Sequence, residues 1–123
     1  MVTESQILNC ISDDKCREML FMIKEGKSLS FAGLQLTRKQ FYSRLRALIV
    51  YGLVSKANGK YRVTSFGKVV FDLHLVLMKT TSEEYWKLKA LDILDSSGIP
   101  DSERTKIMDV LVKNKKIRQV IKA

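Results

Sequence analysis

Apolar residues recur at helical spacing near the start of this 123-residue chain and predict a first helix. Its apolar positions are Cys16, Met19, Leu20 and Ile23. Asp13 or Asp14 can begin this helix, because short acidic side chains cap helix N-termini, and Gly26 can end it. The first turn is rich in acids, which suits the positive end of the helix dipole.

A short second helix is predicted at residues 30–35, close behind the first. Ser28 or Ser30 can cap it, since a serine hydroxyl accepts a hydrogen bond from the first amides of a helix. Leu34 and Leu36 then face a core as the chain turns toward the next element.

The third predicted helix has well-defined ends. Thr37 and Gln40 form a capping box, in which the threonine hydroxyl accepts from the Gln40 amide and the glutamine side chain reaches back to the cap. The helix runs to about Tyr51, and Gly52 stands where a left-handed C-terminal cap belongs. Its predicted apolar face consists of Phe41, Leu45, Leu48 and Ile49.

Asn-Gly at residues 58–59 lies between two alternating segments and predicts a tight β-hairpin. A two-residue loop pairs Val54 with Val63 and Ser55 with Arg62. The inner face of the hairpin then carries Val54, Tyr61 and Val63. The outer face carries Ser55, Lys60 and Arg62, with Lys56 near the tip.

Two more helices are predicted behind the hairpin. One is capped by Ser65, runs to about Lys79 and is apolar nearly all round, which suits either the centre of the core or a subunit interface. The next opens at residues 82–84 and runs to about Asp95. Trp86 on this helix can anchor an interface with Tyr85 or simply pack.

A sixth helix is predicted to start at Asp101 or Ser102. Ile107, Asn114 and Ile121 recur every seven residues within it, so Asn114 falls where a buried asparagine sets the register of a coiled coil. A helix docked on its own domain gives the same pattern, and both alternatives stay open. A second basic cluster follows at Lys113, Lys115, Lys116, Arg118 and Lys122.

Together these elements predict a mainly α (α+β) fold. A helix, a tight turn, a capped helix and a two-stranded hairpin make up a winged helix-turn-helix domain. We place this domain at residues 1–80 and a C-terminal helical extension, available for dimerisation, at residues 81–123.

Positive charge is confined to one part of the chain. The sequence holds 22 Lys and Arg against 13 Asp and Glu, for a net charge of +9. Nine of the basic residues and no acid fall within residues 26–71, so the remainder, with 13 of each sign, is neutral. A one-signed surface on a helix and hairpin indicates a polyanionic partner, first of all nucleic acid.

The third helix turns its polar side away from the predicted core and fits a DNA major groove. On this side we expect base contacts from Lys39, Gln40, Ser43 and Arg46. Phosphate contacts are expected from Arg38, Tyr42 and Arg44, and from the backbone amides at Thr37 and Arg38. On the wing, backbone or minor-groove contacts are expected from Lys56, Lys60 and Arg62.

Two motifs carry a resemblance to a known group of proteins. Residues 48–54 have the form L-x-x-x-G-L-V, and residues 61–67 have the form Y-x-x-T-x-x-G. With residues 36–45, they resemble archaeal winged-helix transcriptional regulators related to the MarR and ArsR types. The resemblance covers about residues 10–80 and implies sequence-specific duplex DNA binding in transcription control. Metal-sensing ArsR-type proteins carry a Cys-x-Cys motif on the recognition unit, which this chain lacks.

No motif for catalysis, a metal or a cofactor is present, so the chain is predicted not to be an enzyme. Cys10 and Cys16 make no disulfide framework, which favours a reduced cytoplasmic setting. Cys10 is expected to be the more exposed thiol, and a redox role stays open. His74 is expected to be a packed core or interface histidine. No segment predicts a signal peptide or a membrane span.

A homodimer is the expected assembly, because DNA readers commonly bind paired half-sites. Two alternatives use the same basic surface. One is a winged helix that docks a protein partner such as transcription machinery. The other is an RNA-binding winged helix.

Overall fold

A helix that the sequence pattern did not predict opens the chain. In the computed structural model, which describes residues 1–122, helix α1 spans Glu4–Ser12. Its capping box joins Thr3 and Gln6: Thr3 N–H donates to Gln6 Oε1 at 2.9 Å, and Gln6 N–H donates to Thr3 Oγ1 at 3.2 Å. The helix buries Cys10, which is 6% exposed against 4% for Cys16, so the expected difference in exposure between the two thiols is small.

Helix α2 spans Asp14–Lys24, and its N-cap is Asp13, one of the two predicted starting residues. The Asp13 carboxylate accepts from Lys15 N–H at 3.2 Å. The four predicted apolar positions of this helix are all buried. Gly26 has a φ of 70°, the left-handed conformation expected at the end of the helix.

The predicted second helix is a single turn at residues 31–35 instead. Ser30 caps it as expected, since its hydroxyl accepts from Gly33 N–H at 3.0 Å. Gln35 then takes a φ of 59°, and Leu36 N–H donates to Phe31 C=O at 2.9 Å. Five residues form too few hydrogen bonds to offset the cost of helix nucleation. The turn nonetheless buries Leu34, as predicted.

Helix α3 spans Arg38–Val50, with both halves of the predicted capping box in place. Gln40 N–H donates to Thr37 Oγ1 at 3.1 Å, and Thr37 N–H donates to Gln40 Oε1 at 3.0 Å. Gly52 has the expected positive φ of 79°. Three of the four predicted apolar positions are buried, namely Phe41, Leu45 and Leu48. Ile49 lies at the edge of the apolar face and is 38% exposed, so its assignment to the core is wrong.

Strands β1 (Val54–Ala57) and β2 (Lys60–Val63) form the predicted hairpin in the predicted register. Asn58 and Gly59 have φ values of 53° and 74°, as a tight mirror-image turn requires. Lys56 pairs with Tyr61, which places it on the same face as Val54 and Val63. Its ammonium group lies 5.3 Å from the Tyr61 ring centroid, so Lys56, one pair from the tip, belongs to the inner face.

Helix α4 spans Ser65–Lys79, and its cap is Thr64 rather than the predicted Ser65. The Thr64 hydroxyl accepts from Gly67 N–H at 2.9 Å and donates to Gly52 C=O at 2.5 Å. A Cβ on Gly67 would overlap the carbonyl oxygen of Leu53. The threonine and the glycine of the Y-x-x-T-x-x-G motif thus hold the start of α4 against the end of α3.

Only one side of α4 is buried in the first core. Gly67, Val70 and Phe71 are buried, whereas other apolar side chains of the helix are exposed. The first core takes Val70 and Phe71 from α4, and its other buried residues come from α1, α2, the turn, α3, Leu53 and β1. The all-round apolar character of α4 therefore does not reflect a position at the centre of this core.

A π-helical turn at Thr80–Glu84 follows α4 directly, and helix α5 (Tyr85–Asp95) follows that turn. The helix start predicted at residues 82–84 is therefore wrong. The hydroxyl groups here donate to carbonyls four residues earlier: Thr80 to Val76 at 2.7 Å and Ser82 to Met78 at 3.0 Å. Serine and threonine bond the preceding helical turn as readily as they cap a new one, which made this segment resemble a start.

The predicted sixth helix is two helices, α6 (Asp101–Leu111) and α7 (Lys115–Lys122). Asn114 separates them and caps α7, accepting from Ile117 N–H at 3.2 Å. Asn114 is exposed, so its role in coiled-coil register is wrong. The second core consists of buried Leu91, Met108, Val112 and Ile117. Docking of the terminal helices on their own unit explains the seven-residue repeat.

The chain divides into two compact units, Met1–Leu75 and a second that begins at Val76, so the division falls within α4. The acid-free stretch at residues 26–71 lies wholly within the first unit. Among residues 1–122, no helix has the length and apolar character needed to cross a membrane.

Candidate nucleic-acid interface

The solvent side of α3 presents cationic and polar side chains in one row. Lys39, Ser43 and Arg46 are exposed and spaced by four and three residues, which places them on one helical face. Within residues 1–122, neither Lys39 nor Arg46 forms an ion pair with a carboxylate. These side chains therefore have donors to offer to a partner in solution.

Gln40 has a structural role that competes with the predicted base contact. Its Oε1 accepts from Thr37 N–H, which closes the N-terminus of α3. Pairing with an adenine edge would break this bond, because a bidentate contact uses both amide atoms. The same bond occupies the Thr37 amide, which was expected to contact a phosphate. The first-turn amides of Arg38 and Lys39 have no partner within the helix and stay available.

Arg44 is half-buried and holds α3 against the cap of α2. Its Nε donates to Asp13 Oδ2 at 2.6 Å, and its Nη1 donates to Gln40 C=O at 3.2 Å. Burial raises the pKa of Asp13, but hydrogen bonds from Cys16 and Arg44 outweigh it and the net pKa is lowered. Arg44 is thus a packing residue of the interface rather than a free phosphate donor.

Arg38 and Tyr42 flank the row on α3. The Arg38 guanidinium lies 5.4 Å from the Phe31 ring centroid, a cation–π contact that orients the side chain without using up its donors. Tyr42 is 55% exposed and meets Phe41 edge-on at 5.1 Å between ring centroids. Both side chains can therefore reach a phosphate beside the groove.

On the hairpin, the structure separates the three predicted wing cations. Lys60 and Arg62 are exposed on the same face, two residues apart on β2. Lys56 projects from the opposite face, over Tyr61. A single DNA backbone laid along one face can meet the first two but not the third.

A cavity beside the hairpin brings the predicted wing cation Arg62 together with two cations to which the sequence pattern gave no role. It measures about 430 Å³ and is lined by Lys24, Arg62 and Lys68, from α2, β2 and α4 respectively. Lys24 lies before the acid-free stretch, and helical spacing along the chain gives no sign that it meets Lys68. We call this feature the basic cavity.

Both thiols lie in a second cavity, of about 340 Å³, which Asp13 and Arg44 also line. Cys10 and Cys16 are buried and unbridged. A hydrogen bond with Cys16 lowers the pKa of Cys10, although burial and the charge of Asp13 act in the opposite direction. The same hydrogen bond, burial and Asp13 all raise the pKa of Cys16. The pair packs where the cap of α2 meets the middle of α3.

His74 packs against Phe71, with 6.0 Å between ring centroids. Burial and the nearby Arg17 lower the pKa of His74, which favours the neutral ring. Among residues 1–122, no group of three or more His, Cys, Asp or Glu side chains could hold a metal ion.

In the second unit, Asp109 forms ion pairs with two residues of the C-terminal basic cluster. Its carboxylate lies 3.2 Å from Lys122 Nζ and 3.7 Å from Arg118 Nη1. Trp86 and Tyr85 are exposed and meet edge-on, with 5.3 Å between ring centroids. Packing into the core of their own unit is therefore not the role of these aromatic residues.

Neither a scan against family models nor comparisons with curated proteins and solved structures finds a match for this chain. A functional proposal has to account for the charges, exposed side chains and cavities of residues 1–122.

Proposed function

We propose that this protein is a winged-helix, sequence-specific duplex-DNA-binding regulator of transcription, not an enzyme, that acts in the cytoplasm as a homodimer. The observation that carries the proposal is the exposed row of Lys39, Ser43 and Arg46 on a capped helix. This row lies within a 46-residue stretch, residues 26–71, that contains no acid. Such a surface suits a polyanion.

The order of elements in the first unit supports the winged-helix assignment. Helix α2, a single turn, helix α3 and a hairpin follow one another, and α4 begins directly behind the hairpin. In a winged helix, the helix before the hairpin enters the major groove and the hairpin touches the neighbouring backbone. In place of the first helix of a helix-turn-helix pair, this chain has the single turn at residues 31–35. That turn still directs the chain into α3.

In this arrangement, α3 lies in the major groove with its N-terminal half toward the bases. Lys39 and Arg46 donate to guanine O6 and N7, and Ser43 donates to or accepts from a base edge between them. Arg38, Tyr42 and the first-turn amides of α3 contact phosphate. Gln40 keeps the helix capped, and Arg44 keeps it against α2, so both residues position α3 without contacting DNA themselves.

The hairpin supplies contacts that position the protein without reading sequence. Lys60 and Arg62 lie on one face and meet the backbone or the neighbouring minor groove. Lys56, on the other face, contributes only to the long-range electrostatic attraction between the protein and DNA. Loss of Lys60 should therefore weaken binding to all sequences alike.

A homodimer accounts for the exposed apolar side of α4. Phe66, Val69 and Leu73 are 48%, 58% and 62% exposed and recur at i, i+3 and i+7. Leu8 of α1 lies beside them, lining a cavity of about 410 Å³ together with Phe66. Burying this patch against a second copy removes apolar surface from water and pairs two reading helices for paired half-sites.

Selection of bound duplexes from a random pool at low salt, followed by titration of the enriched sequence, tests the proposed function. We expect an enriched motif, and an affinity whose log–log dependence on salt has a slope of about −0.9 per phosphate contacted. Titration of duplex RNA and of single strands in parallel separates the RNA-binding alternative. Failure to bind any duplex at low salt would refute the proposal.

A further inference from the structure

Of the elements that bound the basic cavity, only β2, through Arg62, also belongs to the proposed DNA-contacting surface. Lys24 closes the cavity at the end of α2, Arg62 on β2, and Lys68 in the first turns of α4, with Ser55 and Ser65 between them. All of these residues lie in the first unit, Met1–Leu75. The basic cavity has a volume of about 430 Å³, which is within the range of small-molecule sites, since these begin near ~300 Å³.

The charge of the basic cavity is uncompensated. Its lining contains three cations and no acid. Within residues 1–122, none of the three cations forms an ion pair. Lys24 Nζ lies 5.1 Å from the Phe71 ring centroid, a contact that positions the ammonium group but does not neutralise it. Because like charges around one cavity repel, an anion bound there lowers the energy of all three.

Two hydroxyl groups complete the donor set. Among the described residues, the side chains of Ser55 and Ser65 form no hydrogen bond, so both hydroxyls can donate to an occupant. Thr64 also lines the cavity, but its hydroxyl is already held by Gly52 and Gly67. Three positive charges suit a dianion better than a single carboxylate, and the planar Arg62 group can hold two oxygens of one phosphate.

We propose that the basic cavity binds a phosphate group, held by Lys24, Arg62 and Lys68 with help from the two serine hydroxyls. The phosphate belongs either to a small phosphorylated molecule or to the DNA backbone. With a free molecule, the site operates without DNA and its occupant lies against the wing that carries Lys60. With the backbone, the inference rests on the proposed function, and the site extends the DNA contact beyond α3 and the wing.

The test uses the full-length protein and inorganic phosphate as the probe, without DNA. Backbone amide shifts are followed by NMR during titration with phosphate, against chloride at the same ionic strength. A free-ligand site predicts saturable shifts centred on the amides of Ser65 and Lys68. In a Lys24→Gln/Lys68→Gln double variant we expect phosphate affinity to fall about tenfold or more, because two charge-assisted contacts are lost.

Lys56→Gln is the matched control, since it removes the same charge from the opposite face of the hairpin. It should change phosphate affinity by less than about twofold. Thermal unfolding of each variant verifies the fold, and the single variants Lys24→Gln and Lys68→Gln serve if the double variant is unstable. Similar losses in the control and in the cavity variants would attribute the effect to net charge and overturn the proposal.

A second titration, with duplex DNA, distinguishes the two sources of the phosphate. If inorganic phosphate gives no saturable shifts, a backbone site predicts that the double variant loses about 0.9 of salt-dependence slope, the value of one phosphate contact, while Lys56→Gln leaves the slope unchanged. Absence of both the phosphate shifts and the slope change overturns the inference. A protein that binds no DNA but gives saturable phosphate shifts refutes the proposed function and leaves the basic cavity standing.

Discussion

Thr64 joins three elements through one residue. Its N–H donates to Leu53 C=O at 3.0 Å, and its hydroxyl accepts from Gly67 N–H while donating to Gly52 C=O. The end of α3, the end of β2 and the start of α4 thus converge on a single side chain. The neighbouring Ser65 has the same functional group but is exposed and caps nothing.

Thr64→Val therefore tests the cap. It keeps the shape of the side chain but removes both bonds of the hydroxyl, so the free energy of unfolding should fall by about 1–2 kcal/mol. Ser65→Ala is the matched control and should stay within about 0.5 kcal/mol of the parent protein. Urea denaturation monitored by circular dichroism measures both. An equal loss in the two variants would contradict the assignment of the cap.

The Asp13–Arg44 ion pair predicts acid-dependent stability. Because folding lowers the pKa of Asp13, its contribution is complete above about pH 4, the ordinary range of an aspartate, and is lost as the pH falls through the folded value. Asp13→Asn keeps the capping ability but removes the charge. The parent protein should lose up to about 1 kcal/mol more stability than this variant between pH 5 and pH 3.

Urea denaturation at each pH measures that difference. Glu25→Gln, which removes an exposed acid just beyond α2, is the control and should leave the acid profile of the parent protein unchanged. A profile for Asp13→Asn that coincides with that of the parent protein would show that the ion pair adds no net stability.

At the scale of elements, α3 divides its polar residues between two roles. Gln40 accepts a hydrogen bond at the cap of α3, and Arg44 donates one to the cap of α2. Lys39, Ser43 and Arg46 are exposed to solvent. Helical periodicity alone marked both groups as polar and could not separate them. The division arises because the partners of the first group, a backbone amide and Asp13, lie at fixed positions in the folded unit.

Gln40→Ala and Arg46→Ala should therefore differ in kind. Arg46→Ala should lose about 1–3 kcal/mol of discrimination at one base pair, because its guanine contact is removed. Gln40→Ala should leave the base preference unchanged and lower stability by up to about 1 kcal/mol, because half of the capping box is lost. Titrations against the selected site and single-base variants measure the preference, and urea denaturation measures the stability. A change of base preference in Gln40→Ala would favour the original base-contact prediction.

At the scale of the whole molecule, charge and apolar surface lie on different elements of the first unit. The acid-free stretch supplies the cations of α3 and the hairpin, while α1 and α4 supply the exposed apolar patch. The proposed DNA-reading surface and the proposed association surface can therefore be used at the same time. Removal of one should not abolish the other.

Leu73→Glu tests the association surface. A charge in the centre of the patch should convert the proposed dimer to a monomer, because an unpaired carboxylate is costly to bury. Sedimentation velocity measures the assembly state. Val50→Glu, at a position that is 61% exposed on α3 outside the patch, is the matched control and should remain dimeric. A parent protein that sediments as a monomer at high concentration would refute the dimer.

The sequence by itself determined the local features of this protein. The capping box of α3, the left-handed Gly52, the Asn-Gly turn and the register of the hairpin all follow from interactions that span four residues or fewer along the chain, or that a tight turn sets directly. The sequence also located the segment before α3, although it predicted a short helix where the structure has a single turn. Such features depend little on what the rest of the chain does.

Only the tertiary structure decided which side of α4 is buried and which distant side chains meet. The basic cavity brings together Lys24, Arg62 and Lys68, whose positions in sequence carry no signal of their proximity. Likewise, Arg44 became a packing residue only because Asp13 lies beside it. These outcomes depend on how helices and strands pack, since burial is a property of contacts between elements rather than of residue order.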